Sequence, residues 1–398
     1  GFAQAALALL DASSWRQRPQ ATFDLHLLAA TSATLSGHFA QADALHAVLG
    51  LRSRGAEDDV AAGMERLDQF LLQGRHAEGV AVGIRCLQAL GVTLPLTDEA
   101  AEEATEALHV HIASLLKGRA VADLLALPEA TDPRVQQAVR LLYGLFLCAY
   151  LSGQGALALL SFAQTTALSI EHGSCPLSAY GYVGYGMVLT ISERDFSLGR
   201  QFGELGVALS ERFDDTATAC KTNFLFAADV QDWTAPILAG QRFFERALEL
   251  AIQSGDWVTV GYVAMQSGSD QLTAGRSLDA LSGWLEGQLA FLRRKGNDDA
   301  YEITRAGVYN PILHLQGRTG SWDGIDAFDT ADFSVSAYEQ RHEGQGFHLA
   351  WSTASRLRAA WLVQDRTAYA RVAPQVSTIE TFVPSHSKVP EAAMFAAL

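Results

Sequence analysis

The chain has 398 residues, of which 49% are hydrophobic and 18% charged, and its formal net charge is −15. That length exceeds what one core of ordinary size encloses, about 250–300 residues, and the apolar content excludes disorder as the default. The acidic balance argues against a nucleic-acid partner, because phosphate binding needs concentrated Lys and Arg, and against docking on anionic lipid.

Only 10 prolines occur, which leaves room for many long helices. The four cysteines, Cys86, Cys148, Cys175 and Cys220, are far apart and form no CxxC pair. They read as small apolar residues in a reducing compartment, so a cytoplasmic location is expected. No stretch reaches the roughly 18 apolar residues of a membrane span, and no basic region precedes an apolar run as in a signal peptide. The chain opens on Gly1 rather than Met, which is read as an internal segment of a longer polypeptide.

In chain order, the first signals are turns. Gly37-His38-Phe39 and Gly74-Arg75-His76 lie 74 − 37 = 37 residues apart, each with a small residue, Ala42 or Gly79, five positions past its glycine. Both read as the bend inside a helical hairpin, with the small residue packing on the first helix. Asp132-Pro133 predicts a helix start, since Asp is a good N-cap and Pro suits the first turn. Further bends are expected at Arg194-Asp195-Phe196, Gln231-Asp232-Trp233 and Ala274-Gly275-Arg276.

The main signal is a repeat. Leu168, Leu209, Leu250 and Phe291 recur at 209 − 168 = 250 − 209 = 291 − 250 = 41 residues. The helix stops Gly173, Asp214, Gly255 and Gly296 keep the same spacing, and glycine tolerates the left-handed backbone that ends a helix. Ala179, Cys220 and Gly261 stand six residues past the first three stops and predict close helix approach. Two helices and two turns in about 40 residues is the size of a helical repeat. Within the units, Phe202, Leu205, Leu209 and Phe213 form one apolar stripe, as do Phe244, Ala247, Leu248 and Ala251. No region alternates as a strand does. The expected fold is all-α: a solenoid superhelix of stacked antiparallel hairpins. Its segments are 1–130, 131–316, a Gly/Asp-rich loop over 317–332, and a C-terminal set over 333–398.

Several stretches match one family: Asp11-Ala12-Ser13-Ser14-Trp15, Leu25–Ala30, Leu35–Phe39, Leu124–Pro133, Ala138–Leu142, His172–Val183, Glu211-Arg212-Phe213 and Phe395–Leu398. With these the chain resembles the TPR-like helical region of very large bacterial hybrid signalling proteins. It departs at Cys175, where a polar or small residue is expected, and its last repeat is poor in aromatic residues. The resemblance implies an array placed between an AAA/STAND-type ATPase and a GAF or PAS module with a histidine-kinase output, beyond a Ser/Thr-kinase-like N-terminal domain. The partners it implies are the flanking domains of the same polypeptide, another protein, or a small-molecule effector.

Catalytic patterns are thin. There is no phosphate loop, no kinase signature, no HExxH and no GxSxG, so an enzyme is not expected. His109 and His111 point about 200° apart on a helix and cannot share a metal. Asp323, Asp326, Asp329 and Asp332 lack the spacing and central glycine of a calcium loop and read as solvated. Cys175-Pro176 has the form of a haem-thiolate dipeptide, but it reads equally as a helix start, so no cofactor is expected. The run Tyr180-Gly181-Tyr182-Val183-Gly184-Tyr185-Gly186 costs roughly 1 kcal/mol per helical glycine. Either tight helix contact offsets that cost, or the glycines floor a groove walled by Tyr180, Tyr182 and Tyr185. The groove reading adds Trp233, Trp257 and Tyr262 as anchors and Asn223, Gln266 and Asn310 as polar lining.

Overall fold

A computed structural model of the chain describes residues 2–11, 13–322 and 328–397. Among the described residues there are 22 α-helices and no strands; the two isolated bridges, Glu129 with Ser174 and Thr330 with Phe333, make no sheet. The all-α expectation is met. Two compact units divide the chain: Gly1–Arg119 with Ala126–Gly181, and Ala120–Leu125 with Tyr182–Leu398. The main division therefore falls inside the helix Pro176–Val188, not near residue 130.

The expected bends are where the sequence places them. Gly37, Gly74, Arg194 and Gly275 all have positive φ, and Gly37 and Gly74 separate Pro19–Leu35 from Phe39–Arg52 and Ala56–Leu72 from His76–Ala89. Asp132 accepts from the Arg134 amide at 2.8 Å and opens the helix Pro133–Leu151. The bend near Asp232 is longer than expected: two 3-10 turns, Gln231–Trp233 and Ile237–Gly240, precede the helix Gln241–Ser254.

The 41-residue period also has a structural counterpart. Leu168, Leu209, Leu250 and Phe291 sit near the ends of the helices Gly155–His172, Phe196–Phe213, Gln241–Ser254 and Leu278–Arg294. Each of the four stops that follow has positive φ, at 96°, 50°, 74° and 69°. The next helix begins on an Asp or Asn cap at three of the junctions: Asp215 accepts from the Ala217 amide, Asp256 from Thr259 and Asn297 from Ala300.

In the first unit, neighbours in sequence pack as pairs: Pro19–Leu35 with Phe39–Arg52, Ala56–Leu72 with His76–Ala89, and Pro133–Leu151 with Gly155–His172. The helix Asp98–Leu116 leaves this order and lies on Gly155–His172. A β-carbon at Gly79 would come within 2.4 Å of Cys148 Sγ, so His76–Ala89 and Pro133–Leu151 approach closely there.

In the second unit, the helices from Phe196–Phe213 to Leu278–Arg294 pack each on the next. Gly261 lets Trp257–Thr273 meet Asp298–Thr304, where a β-carbon would lie 2.3 Å from Ala300 Cβ. The C-terminal part is different: Gly346–Leu362 collects Arg366–Val372, Val376–Phe382 and Lys388–Ala397 around itself. Its Trp351 and Leu357 are fully buried. Among the described residues, no helix is long and apolar enough to cross a membrane.

Candidate functional site: a buried polar centre

The second unit encloses an unusual amount of charge. Two sequence features place it. The helix Thr216–Asp229 ends on Asp229, and Asp232 follows in a 3-10 turn. Near the C-terminus, Pro384 cannot continue the helix Val376–Phe382. Ser385, His386 and Ser387 then form a turn, closed by the His386 amide donating to Val383 O at 3.1 Å. Lys388 starts the last helix.

That turn enters the unit's interior. Ser385 Oγ donates to Asp229 Oδ1, and the Trp233 indole N–H donates to Ser385 O at 2.6 Å. His386 Nδ1 lies 2.8 Å from Gln266 Oε1, and its Nε2 lies 3.8 Å from Asp229 Oδ1. Because an amide oxygen only accepts, Nδ1 carries the proton. Gln266 Nε2 and Ser387 Oγ both donate to Asp270 Oδ1 at 3.1 Å. Next to this network, Glu391 accepts from Arg358 and from Lys388 Nζ at 3.1 Å. Arg358 also donates to Thr273 Oγ1 at 2.8 Å. Trp351 lies against His386 edge to face, with ring centroids 5.6 Å apart, and under the Lys388 ammonium. Asp229, Gln266, Asp270, His386 and Lys388 are all buried.

Four carboxylates thus face two fixed cations and one histidine, so full ionisation would leave uncompensated negative charge in a low-dielectric interior. Burial accordingly pushes the carboxyls of Asp229, Asp232 and Asp270 up from the usual range, and the charge of Asp270 adds to the rise at Asp232. Burial holds His386 and Lys388 down, while Asp229 works against the fall at His386. Arg358 is lowered to about 10 by burial. Both oxygens of Asp232 and Asp270 Oδ2 are closed off from solvent without a well-formed hydrogen bond among the described residues.

Of the residues expected to line one groove, Trp233 and Gln266 belong to this centre. Tyr180, Tyr182 and Tyr185 do not wall an open groove: all three are buried. Tyr180 packs on Tyr143 and Phe162, and Tyr185 meets Phe202 edge to face at 4.9 Å. Gly181 and Gly186 of that run serve helix contact. A β-carbon at Gly181 would strike Thr165 at 2.3 Å, and one at Gly186 would strike Gly199 O at 2.5 Å. Asn223 donates to the Ala219 carbonyl of its own helix. Trp257 meets Phe291 edge to face under Lys295, and Tyr262 lies between Phe224 and Phe347.

Asn310 has a separate task. It accepts from Arg305 Nε at 3.1 Å and donates to Phe328 O at 2.7 Å. Buried Arg305 also holds Asp332 with two hydrogen bonds, at 2.8 and 3.0 Å. That pairing draws the Asp332 carboxyl down to about 2. In the expected solvated series, Asp332 is therefore an anchor, Asp329 accepts from the Val335 amide, and Asp323 and Asp326 lie outside the described residues. Cys175 is buried at the start of Pro176–Val188, its thiol 3.6 Å from Ser178 Oγ. His111 pairs with Glu171 at 2.8 Å.

Sequence reasoning missed Asp229, Asp270, Ser385, His386, Lys388 and Glu391. The available signal was Ser385-His386-Ser387-Lys388, a fully polar run after a helix-ending Pro in an otherwise apolar C-terminal stretch. Comparison with protein-family models, with curated proteins and with solved structures finds no match to this chain.

Proposed function

We propose that this chain is a non-catalytic interaction and sensing segment of a multidomain bacterial signalling protein. It is a TPR-like helical-repeat array that couples a partner, or a flanking ATPase domain, to a kinase-type output. The observation that carries this reading is the 41-residue period returning as four helices ended by positive-φ residues. Repeats of that kind contact mainly their neighbours and leave extended surface for binding. Mixing the purified chain with the domains encoded on either side of it tests the reading. Co-migration in gel filtration is the expected result; no association with either neighbour, tethered or free, overturns it.

A second reading, a small-molecule sensor, is favoured by one observation: the closed-off oxygens of Asp232 and Asp270. A ligand bearing N–H or O–H donors would satisfy them, since a buried acceptor without a donor costs about 1–3 kcal/mol. The effector would then sit in the polar centre rather than between the tyrosines. Native mass spectrometry of the purified chain checks this. A bound mass that disappears in Asp232→Ala supports the sensor, and a bare chain mass rejects it.

A further inference from the structure

We infer that Asp299, His342 and His348 form a binding site for a borderline divalent cation of the zinc type, beside Glu302, whose Oε1 is held by Arg341 at 2.6 Å. One ligand atom from each of the first three residues lies within 4.8 Å of the others. They come from three elements of the second unit: Asp299 from the helix Asp298–Thr304, His342 from the end of Val335–Arg341, and His348 from Gly346–Leu362.

The hydrogen bonds around His342 point the same way. Its Nδ1 lies 2.7 Å from Gln345 Oε1, which accepts, so Nδ1 carries the proton. Its Nε2 then presents a lone pair, yet it faces Glu302 Oε2 at 3.1 Å. Either a proton on Nε2 or a metal ion must lie between these two atoms, and a metal would compete with the proton for the same lone pair. His348 Nε2 lies 2.7 Å from Asp299 Oδ1. A histidine whose second ring nitrogen donates to an amide oxygen is the usual supporting arrangement for a metal ligand. Two imidazoles with one or two carboxylates suit zinc rather than magnesium or calcium.

The rings of His342 and His348 are stacked, with centroids 4.3 Å apart and planes within 8°. Imidazole lone pairs lie in the ring plane, so two parallel rings cannot both aim at one ion. Around tetrahedral zinc, ligand atoms stand about 3.3 Å apart. Binding therefore turns one imidazole out of the stack and draws the donors together. His348 is the freer ring, since Gln345 fixes His342.

The test uses the full chain, stripped of metal with a chelator and titrated with Zn2+ by calorimetry and with Co2+ by visible absorption. The expected result is one equivalent bound, with the intense bands of four-coordinate Co2+. His348→Ala and Asp299→Asn should each weaken binding at least about tenfold. His111→Ala, which removes a surface histidine bonded to Glu171, should leave it unchanged. Circular dichroism confirms that each variant is folded. Zn2+ binding no tighter in the wild-type chain than in His348→Ala, or a Co2+ spectrum that stays six-coordinate, overturns the site and leaves two histidine–carboxylate pairs.

Discussion

The two units differ in how far along the sequence most of their buried polar groups reach for a partner. In the first, buried hydroxyls bond to the turn behind them: Thr105 donates to Ala101 O, Ser161 to Leu157 O, Thr165 to Ser161 O and Ser169 to Thr165 O. These bonds form with the helix itself and need no partner from elsewhere. The second has such local bonds too, at Thr222 and Asn223, but it also buries charged groups whose partners are remote in sequence. Ser385 bonds to Asp229 across 156 residues, His386 to Gln266 across 120 and Arg358 to Thr273 across 85. A locally satisfied interior assembles helix by helix. An interior of long-range pairs stands or falls as a whole, because removing one partner strands the other.

The largest expected effect tests that contrast. Glu391→Ala in the second unit removes the carboxylate that holds both buried Arg358 and Lys388 and should cost about 3–5 kcal/mol in urea unfolding. Asp58→Ala in the first unit breaks a pair with half-exposed Arg54 and should cost no more than about 1 kcal/mol. Equal costs would erase the distinction.

Glycine packing is the feature both units share. Gly186→Ala places a methyl against the backbone oxygen of Gly199, which cannot move aside, and should cost about 1–3 kcal/mol. Gly79→Ala meets only the side-chain sulfur of Cys148 and should cost less. Thermal unfolding of the two variants ranks them; a reversed order would mean that the helix backbones yield more readily than the thiol.

The smallest effect per step is in pH. Asp229, Asp232 and Asp270 have carboxyls raised in the folded chain above the ordinary value of 3.8. Between that value and their folded values the native state holds more protons than the unfolded one. Stability therefore falls as pH rises through this window, by at most about 1.4 kcal/mol per proton per pH unit. His386 and Lys388 are lowered and contribute the opposite sign, below 6.5 and below 10.5 respectively, so the acids' share is read from the difference between wild type and a variant that removes one of them. Asp270→Asn should make the slope shallower, as read from urea midpoints across the range. A slope unchanged by the substitution would place the stored protons elsewhere.

Much of the fold was legible because its signals are local. A left-handed stop after an apolar helix end, an Asp cap at 132, and a small residue at 79, 220 or 261 each act within a few residues of their own position. The tyrosine–glycine run was legible as a cost, and the structure shows helix contact offsetting it. The polar centre was hardly legible. Trp233 and Gln266 were singled out for a groove, and reached the centre only because residues 385–388 come back to meet them. Asp229 and Asp270, read alone, resemble any acid on a helix.

The sequence by itself determined the helices, their ends and the 41-residue spacing, since backbone propensity, capping and periodicity depend on near neighbours. Tertiary structure alone decided which acids lost their water, which histidines face carboxylates, and that the last helices gather around Gly346–Leu362. Burial and long-range charge pairing depend on which segments meet in space, and no local pattern in the chain encodes that.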